Sequence, residues 1–266
     1  NDGTVTLNTR YNNKNGRPTA AINIKDGPGT GRNFYNLKKT ATRGIYINGD
    51  IKIENDLSVV GKGPISAKNL SNTNYDITIG GDLYLKRSTS LDAQSGNVIF
   101  NGSSAQTIDS GASFNNVQIS NSNVSLDRRA ATVTGTLTID SGATLDINGQ
   151  NLTAGTLANN GNLQLKGSET LSITTKDTDS GTITYDGTAT GLAYGNAYYN
   201  LAINSPSGTM TLDADLDVNG SLNIIDGSLD VSTDNRSINV AGNWSNGDTF
   251  ISRSGTVTFD GTSNIV

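Results

Sequence analysis

The chain has 266 residues, a net charge of −5, 33 % apolar and 6 % aromatic residues, and neither cysteine nor histidine. Without Cys there are no disulfides, thiolate zinc sites or thiol nucleophiles, and without His the commonest general base and metal ligand is gone. Asn, Thr and Ser number 34, 33 and 27, but the apolar residues recur regularly, which separates the chain from a disordered one and suits a narrow core running along an array. The charge is uneven: residues 1–87 hold 13 Lys/Arg and 7 Asp/Glu, whereas residues 88–266 hold 6 and 17. A basic head and an acidic tail would complement each other in a head-to-tail stack.

The chain opens on the alternating strand Gly3-Thr4-Val5-Thr6-Leu7, followed by a polar segment from Arg10 to Pro18 and a second strand over Thr19–Ile24. The loop Asp26–Gly31 has the glycines of a phosphate cradle. It lacks the Gly-Lys-Ser/Thr ending and the helix that should follow, so nucleotide binding is not expected. A second marker comes next, Phe34-Tyr35-Asn36-Leu37, which returns as Phe114-Asn115-Asn116-Val117 and Tyr198-Tyr199-Asn200-Leu201. The gap from opening glycine to marker is much longer in the first copy (Gly3 to Phe34) than in the others (Gly96 to Phe114, Gly181 to Tyr198). That difference predicts an insertion near Arg10 to Pro18, on a surface loop.

A third block takes the form Val-x-Gly-x-Leu-x-Ile. It runs as Ile47 to Ile53, Ile79 to Leu85, Val133 to Ile139 and Val218 to Ile224. Strict period-2 alternation puts Ile, Leu and Val on one face and Thr, Asn, Asp and Lys on the other, and no helical stripe is present. Asn-Gly pairs, such as 101–102, 148–149 and 219–220, mark sharp corners, since both residues tolerate the left-handed backbone. The opening strand itself recurs as Ser95 to Ser103, Ser180 to Thr188 and Ser254 to Thr262.

The opening glycines are Gly3, Gly96, Gly181 and Gly255, so the large repeat shortens along the chain. With coils of about 20–25 residues, this predicts an all-β parallel β-solenoid of about 11–13 coils with almost no helix. Residues 1–33 form an N-terminal strand and insertion region, serving in assembly or as a cap. Residues 34–266 form a solenoid of three repeats with an unfinished fourth at 254–266. Leu7, Phe100, Tyr185 and Phe259 share one repeat position, so their side chains would stack along the rod.

These elements resemble the repeat arrays of large secreted prokaryotic surface proteins, adhesin- and autotransporter-like. There Gly-Thr-Val-Thr-Phe-Asp/Asn-Gly (here Gly255 to Gly261), Phe-Asn-Asn-Leu-x-Ile (Phe114 to Ile119) and Val-x-Gly-x-Leu-x-Ile (Val133 to Ile139) follow one another. Val240 to Gly247 is similar to the same arrays' Gly-Asn-Trp-Ser-Asn turn. The resemblance covers residues 34–266 and implies a right-handed parallel β-helix, an extracellular location and no cofactor.

Other chemistry is weakly signalled. Asp213, Asp215 and Asp217 alternate onto one strand face, where a cation site or a polysaccharide-cleaving carboxylate group is conceivable. Outward Asp at period 2 is also what a soluble strand needs, so no enzyme and no metal is expected. The cluster Lys38, Lys39 and Arg43 reads as a small basic patch, too small for nucleic acid in an acidic chain. Thr-x-Thr at 132–134 and 136–138 resembles ice-binding rows without the required repetition, and the Asn-x-Ser/Thr sequons are no commoner than chance.

No apolar run is long enough to span a membrane, and a chain beginning at Asn reads as a processed, secreted product. A solenoid has two open ends, which natural arrays cap with a polar helix or loop. No capping helix is visible here. The expectation is therefore an extracellular structural subunit whose partner is itself, joined head to tail through Val5, Leu7, Val257, Phe259, Ile265 and Val266. An adhesin or carbohydrate-binding module, with glycans or other cell surfaces as partners, is the alternative.

Overall fold

The computed structural model describes residues 4–7, 23–24, 32–40, 44–47, 49–67, 75–86, 89, 91–188 and 190–262. Among these there are thirty strands and no helix, and every pairing is parallel. Strands separated by Asn-Gly turns do not pair with each other. Each pairs with its counterpart one turn away, so the protein is a parallel β-solenoid and its turn residues mark corners rather than hairpins.

Each turn places short strands on three faces in a fixed cycle. The first face runs the length of the molecule within a thirteen-stranded sheet, from Thr4–Leu7 through Asn36–Lys39 and Leu57–Val59 to Leu222–Asp230 and Trp244–Asn246; its remaining strand, Thr249–Ile251, and the second halves of Asn200–Thr211 and Leu222–Asp230 turn onto the second face. A four-stranded sheet builds the second face at the N-terminal end and another the third face at the C-terminal end, while a nine-stranded sheet runs from Arg32–Phe34 on the third face to Leu171–Thr175 on the second. In the nine-stranded sheet, Ala131–Ile139 and Leu152–Asn159 each bend across both faces.

Alternation explains the core. In Ile51–Ile53 the two isoleucines are buried and Lys52 is exposed; Leu83–Leu85 and Val124–Leu126 repeat the burial of both outer residues. The register then stacks like on like: Val124, Leu145, Leu163, Ile183, Leu201, Leu222 and Trp244 form one row along the first face.

The solenoid makes about ten turns, slightly fewer than the 11–13 expected. Turns differ in the length of chain they use. Leu57 pairs with Leu83, whereas Leu163 pairs with Ile183, a shorter step along the sequence. At about 4.8 Å per turn the rod is roughly 50 Å long.

Within one large repeat, the three sequence markers are three successive turns at one corner. Asn97 of the opening strand pairs with Asn116 of the second marker, and Val117 pairs with Leu137 of the third. Asn116 laces them together: its Nδ2 donates to the Ser95 carbonyl at 3.0 Å, and its Oδ1 accepts the Thr136 N–H at 3.0 Å. Asn200 does the same between Gly181 O (2.9 Å) and Ser221 N (2.8 Å). The glycine of the third block follows from this lacing, because a Cβ on Gly135 would lie 2.4 Å from Asn116 Oδ1 and one on Gly220 would lie 2.5 Å from Asn200 Oδ1. In the N-terminal turns aspartates play the acceptor's part, with Asp56 Oδ1 taking the Asp82 N–H and Asp82 Oδ1 the Thr107 N–H.

Two expectations are corrected. Phe100, Tyr185 and Phe259 do not stack, because the large repeat is not a whole number of turns. Thr4–Leu7 and Thr182–Tyr185 lie on the first face, while Asn97–Phe100 and Val257–Phe259 lie on the third. The basic patch is also not one, since Lys39 points into the core and donates to the carbonyls of Lys62 (2.7 Å) and Gly63 (3.0 Å). Asn23–Ile24 is a strand as expected. The insertion at Arg10 to Pro18, the loop Asp26–Gly31 and Arg43 lie outside the described residues.

Asn116→Ala should cost about 1–3 kcal/mol, because it leaves a backbone carbonyl and a backbone N–H of adjacent turns without their partner. Asn116→Asp keeps the acceptor and should cost less. Thermal unfolding followed by circular dichroism would show a midpoint lowered by several degrees for the alanine variant. An unchanged midpoint would mean that the lacing does not hold the turns together.

Candidate functional site

The ends of the stack follow directly from its topology. Thr4–Leu7 pairs only with Asn36–Lys39, and at the other end Val257–Phe259 pairs only with Ile238–Val240, among the described residues. Trp244–Asn246 and Thr249–Ile251 likewise pair only inward, both with Leu222–Asp230. These strands therefore carry edges that no described strand covers.

The direction of the exposed backbone groups can be read from the bonds that are made. Ile238 N donates to Thr256 O at 2.9 Å and Asp260 N to Val240 O at 3.2 Å. In a parallel ladder alternate residues bond to the same side. Thr256, Thr258 and Asp260 thus face the body of the rod, and the N–H and C=O of Val257 and Phe259 face away from it.

Apolar side chains lie at both ends of the described stack. At the acidic end Trp244 packs edge-on against Phe250 (ring centroids 4.8 Å apart) and against Phe259 (6.2 Å), with Phe259 44 % exposed. Val257 and Phe250 are half-buried. Arg253 clamps the preceding turn through two bonds to Asp230, at 2.6 and 2.7 Å, and this guanidinium holds the Asp230 carboxyl below its ordinary range. At the basic end Val5 is 40 % exposed and Leu7 is half-buried against the core. The structure thus places Val5 and Leu7 at one end and Val257 and Phe259 at the other. Ile265 and Val266 lie outside the described residues.

Asp213, Asp215 and Asp217 are all exposed, but only Asp217 lies within the strand Leu216–Val218. Asp215 accepts the Ser237 N–H at 2.9 Å, a corner role like that of Asp56. Among the described residues no three Asp or Glu side chains are grouped to hold a metal ion.

A feature that sequence reasoning missed is a cluster of buried tyrosines. The nine-stranded sheet ends at Leu171–Thr175 and the C-terminal four-stranded sheet begins at Ala197–Tyr198; between them the first face alone continues, through Thr182–Tyr185. Tyr185, Tyr194 and Tyr198 fill the core at this break and are fully buried. The Tyr185 and Tyr198 hydroxyls lie 3.1 Å apart, Tyr194 N donates to the Tyr185 hydroxyl, and Tyr198 Oη donates to Gly195 O at 2.6 Å. Lys176 sits over the Tyr194 ring and donates to the Tyr194 carbonyl. Burial pushes all three phenols above the usual value of 10. The only sequence signal was three tyrosines close together, one of which (Tyr194) falls outside the marker pattern.

Comparison of the chain with protein-family models, curated proteins and solved structures finds no match.

The raised phenol values have a definite sign. A phenol held neutral in the folded state leaves stability unaffected below pH 10, the usual value. Stability then falls as pH rises above it, because the unfolded chain releases protons that the folded chain keeps. In an alkaline titration, phenolate absorbance should show three phenols ionising only together with loss of the β circular dichroism signal. Ionisation of all nine tyrosines before unfolding would contradict the buried cluster.

Proposed function

We propose that this chain is an extracellular structural protein, a β-solenoid unit that assembles head to tail into filaments through its open ends. The observation that carries the reading is that, among the described residues, strands at the two ends of the stack pair on one side only, one end carrying Val5 and Leu7 and the other Trp244, Phe250, Val257 and Phe259. Exposed parallel edges recruit further strands, and natural proteins that must avoid this cover them. A contact between two different ends of the same molecule does not close on itself, so it propagates as a fibre.

Charge supports the same pairing. The first 87 residues carry an excess of six positive charges and the remainder an excess of eleven negative charges. Opposite ends attract, and like ends repel. The placement outside the cell rests on the likeness of the repeats to those of secreted surface proteins. No catalytic role is proposed.

A second reading, an adhesin or glycan-binding module, is favoured by one observation. Ser113, Thr132, Thr153 and Ser172 stack in register on the outer surface as a row of hydroxyls. It predicts a chain that stays monomeric and binds glycans.

Val257→Pro discriminates between the two readings. Proline at this edge position removes an N–H that points away from the rod and leaves the bonds to Ile238–Val240 in place. Wild type should form filaments visible by electron microscopy, and the variant should remain monomeric in sedimentation with an unchanged β spectrum. Raising salt from about 0.1 to 1 M shortens the Debye length from about 10 to 3 Å and should slow elongation. Wild-type protein that is monomeric at every concentration would sink the proposal, as would filaments equally abundant in the variant.

A further inference from the structure

Asn-Gly pairs mark corners of this rod, and they carry a chemical liability as well as a structural role. Asparagine is among the thermolabile residues, and a following glycine, with no side chain, lets its own backbone nitrogen reach the asparagine Cγ. That approach needs a glycine N–H free of an acceptor and a backbone able to swing. Five Asn-Gly pairs lie among the described residues, at 101–102, 148–149, 160–161, 219–220 and 246–247.

Four of the five are pinned. Gly102 N donates to Gln106 Oε1 at 2.8 Å, Gly220 N to Tyr199 O at 2.8 Å and Gly247 N to Ile224 O at 2.7 Å. Asn160 N donates to Ile139 O at 2.8 Å, and a Cβ on Gly161 would press on the carbonyls of Asp140 and Ala143. Packing is tight at the other three as well, where a Cβ would meet Gly80 O, Asn200 Oδ1 (2.5 Å) and Ile224 O (3.1 Å).

Asn148-Gly149 is different. It is the tip of a turn, with Asn148 at φ 49° and Gly149 at φ 78°, closed by Gln150 N donating to Ile147 O at 2.8 Å. Both residues are exposed. Among the described residues the Gly149 N–H has no acceptor, and the atom nearest to a Cβ built there is Lys166 Cγ at 3.8 Å. The Asn148 amide makes one long bond, from Nδ2 to Leu126 O at 3.4 Å. A tip of this kind opens locally without disturbing the ladders on either side.

We propose that Asn148 is a site of spontaneous deamidation, selected from the Asn-Gly pairs by the fold. Gly149 N gives its proton to solvent base and attacks Asn148 Cγ, the Cγ–Nδ2 bond breaks, and ammonia leaves. The cyclic succinimide takes up one water, which opens it at either carbonyl to aspartate or isoaspartate. In sum, an amide and a water become a carboxylate and an ammonium ion. The product adds a negative charge beside Asp146, whose Oδ1 accepts the Asn148 N–H at 2.7 Å, and beside Lys166, whose stem lies over Gly149. This inference does not depend on end-to-end assembly.

Peptide mapping tests it. Trypsin cuts after Arg129 and Lys166, so one peptide, 130–166, carries both Asn148-Gly149 and Asn160-Gly161 and compares them internally. Folded protein is aged in mildly alkaline buffer beside a sample held unfolded in urea, and both are digested and sequenced by mass spectrometry. In the folded sample the gain of one mass unit should fall on Asn148 several-fold more than on the other four pairs. In urea the five should convert at similar rates. N148S should remove the gain at this corner from peptide 130–166. Conversion of Asn160 as fast as Asn148 in the folded protein overturns the proposal, as does the same ranking of sites in urea. So does a folded protein that keeps Asn148 intact while the urea sample converts.

Discussion

The structure depends on hydrogen bonding between successive turns. No described strand pairs with its neighbour in sequence, so no turn can satisfy its backbone alone. The N–H and C=O groups of a strand find their partners one full turn away along the chain, in the turn above or below. The apolar rows add to this, because Leu163, Ile183 and Leu201 stack directly on one another along the axis. Stability of this kind is close to a sum of nearest-neighbour terms. It leaves the last described turn at each end with a described neighbour on one side only.

Corners are where the sequence specifies the stack. The side chains of Asn116 and Asn200 bond to the turns on both sides, and Gly135 and Gly220 are glycines because those amides occupy the space a side chain would need. A motif spread over successive turns of sequence is therefore one local contact. Asn116 makes it where the chain enters the third face, and Asn200 where it enters the first. Where the two shorter ladders stop, between Thr175 and Ala197, the same need for satisfied polar groups is met differently. Three tyrosines fill the core with rings and direct their hydroxyls to one another and to backbone groups. Buried hydroxyls are tolerated only when bonded, and here each is.

Lys39 and Gln106 obey the same rule inside the apolar rows. Lys39 Nζ reaches two carbonyls of the next turn. Gln106 donates to Ile79 O and Gly81 O while accepting from Gly102 N. Both sit where period-2 alternation demands an inward residue, and both bring hydrogen-bonding capacity that the neighbouring turn completes.

Much of this was legible in the sequence. Alternation fixed which residues face inward, because the side-chain period of a strand is two. The repeated Asn-Gly pairs identified corners of parallel turns, since both residues tolerate the left-handed backbone. Val5, Leu7, Val257 and Phe259 could be picked out as end residues because they belong to the first and last copies of one motif. What only the tertiary structure decided is the phase of those copies around the axis. Turn length varies along the rod, from the long step between Leu57 and Leu83 to the short one between Ile108 and Leu126. It is set by corner loops with no periodic signal. These differences accumulate to a fraction of a turn per large repeat, so Phe100 and Phe259 fall on a different face from Tyr185 and Leu7. That same accumulated phase, invisible residue by residue, is what brings the strand Thr4–Leu7 and the edge of Trp244–Asn246 onto one face.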